Sequence, residues 1–472
     1  MTPPPRETPE KAWPDYAAVW RWHFYAGLFC LPFFCWLALT GSAYLFRPDI
    51  EARLDRPYEG LSLVGPRPAP SIEAEAAVAA MPGATFSRYE PPATPTGAAQ
   101  VVVAKEGHLW RVIVDPRNLQ PMQIGRDDHR PMELISHLHG QLLLGDRGSN
   151  LVELAGSWGV VMILTGLFLW WPRGTRRLGG LVYPRLASCG RALLRDLHAV
   201  TGVWISVVTL FLLLSGLPWS SFWGNYFTWA RNHSTLTAGV PDWSLGGKAE
   251  PLPRIVPSAT TEQKAAMSAA EMAAMMPQME ATDAGKTTFD LSALNLIVPT
   301  VRRLGPPRPI WILPPQPGSA DWIVWSRTQN RPRRVAYTIS PNSGEVTGIK
   351  RFADDDAVNR AINVAIATHE GQLFGRPNQA ILLLNAIGVL LVAISAAVMW
   401  WRRRPPHRLG APPARALPRF SPALLIVLGT LGVLLPEFGM SLVAVLAIDL
   451  LVWPMFPAVA KWLGRSPAES DA

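Results

Sequence analysis

The chain has little cysteine and no nucleotide-binding signature. Only three of its 472 residues are cysteines, Cys30, Cys35 and Cys189, and two of them lie inside one apolar run. No C-x-x-C pair occurs, so neither a disulfide framework nor a cysteine-ligated metal cluster is expected. No G-x-G-x-x-G follows a strand-like stretch and no flavin domain is seen, so no dinucleotide site is expected within this sequence. No small-residue cleavage site follows the first apolar run, which is therefore expected to be a retained anchor and not a removed signal. Charge is also scarce. Charged residues make up 17% of the chain against 49% apolar residues, and acids are the rarer sign, 35 against 44 bases, for a net charge of +9. Such a chain is too apolar for an ordinary soluble enzyme and too polar for a bare membrane bundle. Its positive excess is of the kind that sits in cytoplasmic loops and sets orientation, so no nucleic-acid partner is expected.

What is present is a set of long apolar runs. Runs near 24–46, 151–171, 198–220 and 378–401 each have the ~20 residues a spanning helix needs. Two further runs, 422–436 and 440–458, flank the turn "PEFG" and read as a helical hairpin, with a re-entrant hairpin as the alternative because the first run is short. Arg173, Arg176, Arg177, Arg185, Arg191 and Arg195 fill one loop. Arg402, Arg403, Arg404, Arg408, Arg415 and Arg419 fill another, and the tail carries Lys461 and Arg465. The positive-inside rule puts these loops and the N-terminus in the cytoplasm, so the long segments between the spans face the outside, which is the periplasm if the membrane is the inner membrane of a Gram-negative bacterium. The tryptophan pairs 170–171 and 400–401 then fall at the cytoplasmic boundary.

The segments 47–137 and 221–367 accordingly face outward. In the first, 71–83 reads as a short helix and 101–125 as strands joined by Gly and Asp-Pro turns. In the second, a helix near 261–275 precedes the strands "DWIVWSR", "RRVAYTISP" and "EVTGIKRF". The Pro-rich stretches 65–70, 91–96 and 304–317 read as linkers or loops. The expected fold is a membrane α-helical bundle, four core helices forming two parallel repeats plus the C-terminal hairpin, with two periplasmic α+β domains. The boundaries run as an N-terminus at 1–22, a first span at 23–46 and a first outer unit at 47–137. A histidine segment with the second span (138–171), a basic loop (172–196) and a third span (197–220) follow. The second outer unit is 221–367, the next histidine segment and fourth span 368–401, and a basic loop 402–420. The hairpin at 421–458 and a cytoplasmic tail at 459–472 complete the chain.

The repeat shows most clearly in its histidines. Thr40-Gly41 follows His23 by 17 residues, and Ser215-Gly216 follows His198 by the same 17. Thr165-Gly166 follows His139 by 26 residues, and Ser395 follows His369 by the same 26. His139 stands in "LHGQLLLG" and His369 in "THEGQLFG", each just ahead of a returning helix. A pseudo-two-fold axis along the membrane normal sets His23 against His198 on the inner side and His139 against His369 on the outer side. Imidazole is a common axial ligand of haem iron, and two from different helices make a six-coordinate site. Gly27, Gly140, Gly202 and Gly371 leave room for a flat macrocycle, and two such groups in a ~30 Å core form a transmembrane electron path.

His137 is the alternative to His139 as outer ligand. His108, His129, His233 and His407 have no matched partner and read as surface residues. Zinc would need three or four clustered ligands, and the four histidines divide into separate pairs. Arg21 and Arg195 inside, and Arg147 and Arg376 outside, are candidate partners for haem propionates, or else topology determinants alone. Asp449, an acid within an apolar run, is a functional or a packing residue. Trp223, Trp229 and Trp243 are ligand contacts or interfacial anchors.

The stretches "WRWHFYAGLFCLPFFCWLALTG", "LHGQLLLGDRGSNLVEL…LTGLFLWWPR", "RDLHAVTGVWISVVTLFLLLSGLPWS" and "THEGQLFGRPNQAILLLNAIGVL…MWWRRR" resemble the PepSY-associated transmembrane-helix family over roughly residues 15–405. The outer units resemble PepSY domains in "VDPRNLQPMQIG" and "ISPNSGEVTGI". The resemblance implies two haem b groups, with His23, His139, His198 and His369 matching the family's histidines. It also implies reduction of a ferric siderophore in the periplasm, which releases the metal because Fe(II) binds such chelators far more weakly. The expected partners are membrane lipid, the ferric chelate, and a quinol or separate flavoprotein as donor. The hairpin at 421–458 is an addition to that pattern. Two other functions fit the sequence: a membrane-anchored binding or inhibitory module without redox activity, and di-haem electron transfer to a different metal complex or a partner reductase.

Overall fold

A computed structural model describes residues 16–172, 178–233, 252–253, 290–412 and 422–464. The first half runs α1 (Tyr16–Tyr44), α2 (Arg47–Asp55), α3 (Pro70–Ala79), β1 (Thr85–Glu90), β2 (Ala99–Lys105), β3 (His108–Val114), β4 (Pro121–Arg126), α4 (Pro131–Gln141) and α5 (Asp146–Trp170). The second half repeats that order in α6 (Arg191–Gly216), α7 (Ser221–Asn232), α8 (Leu294–Leu304), β5 (Ile310–Leu313), β6 (Trp322–Ser326), β7 (Val335–Ile339), β8 (Val346–Arg351), α9 (Ala357–His369) and α10 (Arg376–Arg403). The chain then adds α11 (Pro422–Leu434), α12 (Pro436–Ala447) and α13 (Pro457–Trp462).

Five helical stretches among the described residues are long and apolar enough to cross a membrane: α1, α5, α6 continued to Trp219, α10, and Pro436–Met455. At 29 residues α1 is about 44 Å long, more than the ~30 Å hydrocarbon core requires. α6 begins at Arg191, so His198 lies two turns inside the helix and not at its end. Both ends of the hairpin lie on one side, because Pro412 ahead of α11 and Gly464 after α13 meet the same side chain. That side is tied to the core helices. Arg21 Nη1 donates to the carbonyls of Pro412 at 2.7 Å and Gly464 at 2.8 Å, and the Tyr25 hydroxyl donates to Leu463 O at 2.6 Å. The indoles of Trp170 and Trp400 donate to Leu181 O and Leu409 O, so these two belt tryptophans also anchor the loops behind them.

The two outer units are not separate bodies. Each half contributes a four-stranded antiparallel meander, and β1 pairs with β5 at Tyr89 and Ile312 to give one eight-stranded sheet, ordered β4-β3-β2-β1-β5-β6-β7-β8. The stretch 304–317, expected as a linker, contains β5 and so supplies half of that seam. The expected helix near 261–275 lies outside the described residues; among those described, the second unit's helix is α8. Ser71 at the start of α3 and Asn295 at the start of α8 exchange two hydrogen bonds of 3.0 Å, which docks the two helices side by side. Alternation along the strands sends Tyr89, Val101, Val103, Ile312, Trp322 and Val324 to the face those helices cover, where they form one core with Leu294 and Ile297.

The opposite face of the sheet carries charge. Arg111 grips Glu90 at 2.8 and 2.9 Å and Asp127 at 2.8 Å, while Arg88 reaches Glu90 at 2.8 Å and Asp127 at 2.5 Å. Arg88 also stacks on Trp311 at 4.0 Å. Burial pushes both carboxyls up, and the two guanidiniums together outweigh it, holding Asp127 at about 2 and Glu90 below its ordinary range. A carboxyl depressed on folding contributes its stability above the unfolded value of about 3.9 and loses it only as pH falls through the folded value. The cluster is therefore expected to hold undiminished from pH 7 to about 4 and to fail between about 4 and 2. Asp127→Asn, which leaves both guanidiniums short of a buried partner, is expected to cost about 3–5 kcal/mol. Thermal unfolding of the purified chain measures this, and an unchanged melting temperature would show the cluster to be dispensable.

Candidate functional site: two facing histidine pairs

The long helices bring the four histidines together in two pairs. His23 on α1 faces His198 on α6 with ring centroids 6.3 Å apart and planes at 80°. His139 on α4 faces His369 on α9 at 6.4 Å and 82°. Along α1, 17 residues separate His23 from Thr40, which touches His139, so the two sites lie about 25 Å apart near opposite faces of the bundle.

Each imidazole is held from behind by its Nδ1. The His23 and His198 rings lie 3.0 and 3.1 Å from the carbonyls of Met162 and Val392. Carbonyls only accept, so both Nδ1 atoms carry the proton. His139 Nδ1 lies 2.9 Å from Thr40 Oγ1, whose own proton goes to Trp36 O at 2.8 Å. His369 Nδ1 lies 2.8 Å from Ser215 Oγ, whose proton goes to Leu212 O at 3.3 Å. In these two as well the ring N–H donates to the hydroxyl. All four histidines thus have Nδ1 protonated and an Nε2 lone pair remaining. Burial pushes His139 down to about 4 and His369 down to about 3, so both are neutral at physiological pH.

The matched spacings in the sequence are these rear supports. Thr40-Gly41 and Ser215-Gly216 back the two histidines at the sheet end. A Cβ at residue 41 would stand 3.1 Å from the His139 ring, and one at residue 216 would stand 3.5 Å from that of His369. Thr165-Gly166 backs His23, where a Cβ at residue 166 would stand 3.0 Å from the ring and Thr165 Oγ1 is 3.2 Å from Nδ1. Ser395, the counterpart of Thr165, bonds instead to Leu391 O and Val392 O. In both repeats the carbonyl acceptor, Met162 or Val392, stands three residues ahead of that hydroxyl.

The turns quoted above position the sheet-end pair. "LHGQLLLG" and "THEGQLFG" each end in a glycine of positive φ, 59° at Gly145 and 64° at Gly375, a conformation open to glycine at little cost. That residue reverses the chain between the short histidine helix and the spanning helix. Gln372 and Gln379 both donate to Leu45 O, at 3.0 and 3.1 Å, which ties the second turn to the end of α1. The Trp219 indole stands edge-on to His369 at 5.6 Å.

The geometry tests which group the pairs fit. One metal bonded to two imidazoles at ~2.0 Å places their centroids about 6.2 Å apart, which is the spacing of both pairs. No group of three or more His, Cys, Asp or Glu able to hold a metal occurs among the described residues, so a tetrahedral zinc site has no ligand set. A metal that brings its own in-plane ligands and needs two axial imidazoles fits; haem iron is such a metal. Beside the His23–His198 gap, Gly202 lies one turn beyond His198, and a Cβ there would meet nothing within 4 Å; one at Gly27 would meet only Met162 Sδ at 3.8 Å. Gly140 is likewise open. Gly371 does not make room: its missing Cβ accommodates the Leu45 side chain, and its φ is +74°.

The other expected residues fall as follows. His137 is in neither ring pair. Arg21 is occupied by the two carbonyls above, Arg195 pairs with Asp196 at 3.2 Å, and Arg376 pairs with Asp49 at 2.9 Å. Arg147 is exposed and makes no hydrogen bond or ion pair among the described residues. His108, His129, His233 and His407 are exposed. Cys30 is buried and packs against α5, with Sγ 3.5 Å from Ala155 O. Asp449 sits in the π-turn Ile448–Val452. Trp223 donates to Leu434 O at 2.9 Å and so joins α7 to the hairpin, Trp229 is exposed, and Trp243 lies outside the described residues. Two features had no signal in the sequence: the Arg88–Arg111 cluster, and a buried acid pair, Glu153 and Glu437.

Apolar spanning helices, with a sheet module at one end and histidine pairs at both, define a multi-pass membrane protein. The family described as the PepSY-associated TM region matches residues 20–403, and the chain belongs to it. No curated protein matches the chain.

Loss of a rear support has a measurable consequence. Thr40→Val removes the acceptor of the His139 Nδ1–H and keeps the side-chain volume. It is expected to weaken binding at the sheet-end pair about 10–100-fold, as loss of an outer-shell partner does. Haem titration of the purified variant tests this, and wild-type affinity would show that the hydroxyl does not orient the ring.

Proposed function

We propose that this chain is an inner-membrane di-haem b oxidoreductase, with its N-terminus cytoplasmic, that delivers electrons to a periplasmic ferric siderophore and so releases Fe(II). The observation that carries the proposal is the pair of facing imidazoles at opposite ends of the bundle, with centroids 6.3 and 6.4 Å apart and each ring held through Nδ1, which leaves the lone pair on Nε2. Haem at each pair supplies one-electron transfer. The chain's own residues do the rest. The four histidines would hold the iron, and the hydroxyls and carbonyls behind them fix ring orientation. The glycines beside the inner pair leave space for a planar ligand. The basic loops set orientation by the positive-inside rule. The sheet module, taken as two PepSY-like units fused through β1 and β5, is the surface available to the chelate. Electrons enter from quinol or a separate flavoprotein.

The test is a reduced-minus-oxidised spectrum, with haem quantification, of the purified protein supplied with haem. Two b-type groups per chain are expected, and none at all would overturn the proposal. Reconstituted protein offered several ferric siderophores then separates this acceptor from another metal complex.

A further inference from the structure

The hairpin that the four-helix repeat does not explain carries a buried acid to a second buried acid. Glu437 opens α12 at the apex, 8% exposed, and Glu153 lies two turns into α5, 3% exposed. The apex is docked firmly. Trp158 Nε1 donates to Ser441 Oγ at 3.0 Å, and the Trp158 ring meets Phe438 edge-on at 5.1 Å. Leu435 and Phe438 share an apolar cluster with Val160 and Leu217. Gly432 and Gly439 cross closely enough that a Cβ on residue 439 would stand 2.9 Å from Gly432 O. The apex therefore holds Glu437 beside α5, and Trp223 bridges the two acids' surroundings: its backbone N–H donates to Glu153 Oε2, and its indole donates to Leu434 O, three residues ahead of Glu437.

The two carboxyls have unequal support. Glu153 Oε2 accepts from the backbone N–H groups of Phe222 at 3.1 Å and Trp223 at 3.0 Å, at the start of α7. Its Oε1 has no hydrogen-bond partner, and neither has Glu437 Oε2. Asn150 Oδ1 and Ser157 Oγ, which flank Glu153 on the same face of α5, are unpartnered too. The groups facing the pair are uncharged: Ser149, Ser157 and Trp158 from α5, Ser220 to Trp223 from the turn and α7, and Phe438 and Ser441 from the hairpin. The charged residues Asp146 and Arg147 lie exposed at the first turn of α5. No cation among the described residues pairs with either acid.

Two like charges this deep in a bundle, without a cation, cost several kcal/mol, and adjacent carboxylates relieve that cost by keeping one proton. We propose that Glu153 and Glu437 hold one exchangeable proton between them inside the membrane, with Glu437 as the acid and Glu153 as the carboxylate. The N–H groups at α7 favour the charge on Glu153, and the shared proton satisfies the open oxygen on each side. The hairpin then serves as the second wall of an intramembrane proton site, a role distinct from electron transfer at the histidines.

Infrared spectroscopy of the full chain in lipid nanodiscs tests this without reference to haem. At neutral pH the wild type is expected to show a protonated-carboxyl carbonyl band that shifts in D2O and is lost in Glu437→Gln. In Glu153→Gln the band is expected to persist at a shifted frequency, because Glu437 stays protonated beside a neutral amide. Should Glu437→Gln fail to fold, the Glu153→Gln shift alone decides. A band unchanged by either substitution overturns the proposal. So does a pair that is fully ionised at neutral pH, or a band that disappears on adding Na⁺, which would assign the site to a metal cation.

Discussion

His369→Ala is expected to lower the haem content from two groups to one per chain and to abolish reduction of a ferric chelate. Its ring is one side of the 6.4 Å gap, and no second imidazole on α9 or α10 can replace it. The His23–His198 pair, about 25 Å away along α1, shares no side chain with it, so the remaining haem keeps its spectrum. Quantified haem and a reduced-minus-oxidised spectrum read both outcomes. Two haems retained would mean that the facing pair does not hold a metal. His137→Ala is the matched control and is expected to keep both groups, since His137 faces no other ring; loss of the sheet-end haem there would move the ligand by two residues.

The second large effect is expected from a residue that touches nothing. A Cβ at Gly202 would meet no protein atom within 4 Å, although the residue lies one turn from His198 on the side of the gap. Gly202→Leu is therefore expected to leave the haem-free fold intact and to stabilise α6 by about 1 kcal/mol, the ordinary difference between glycine and a good helix former. It is expected at the same time to block haem at the His23–His198 pair by filling the space the macrocycle needs. Haem stoichiometry and thermal unfolding with and without haem separate the two effects. Full haem content in this variant would place the ring plane elsewhere.

Several features were legible in the sequence because they are written as local periodicities. Spanning helices announce themselves by apolar length, and each expected core run lies largely within α1, α5, α6 or α10. The 17-residue spacings run along single helices, α1 and α6, from one histidine level to the other, and the 26-residue spacings run from the short histidine helices α4 and α9 into the spanning helices α5 and α10. What the spacing could not say is that Thr40 and Ser215 are acceptors for a ring on another element. That requires knowing which hydroxyl proton is already committed to Trp36 O or Leu212 O. The joined sheet was hidden for a similar reason. Its seam runs through Tyr89 and Ile312, 223 residues apart, and β5 is a four-residue strand inside a proline-rich stretch.

The sequence by itself determined a duplicated, multi-helix membrane chain with histidines at two depths and a basic side. These follow from composition and from spacing along one dimension. Only the tertiary structure decided that His139 and not His137 meets His369, that every Nδ1 is engaged, that the two outer meanders share one sheet, and that the hairpin apex packs on α5. Each of these is a contact between residues far apart in the chain. Such a contact is set by the crossing of rigid helices and by the competition of buried polar atoms for too few partners, and neither is encoded in any single stretch.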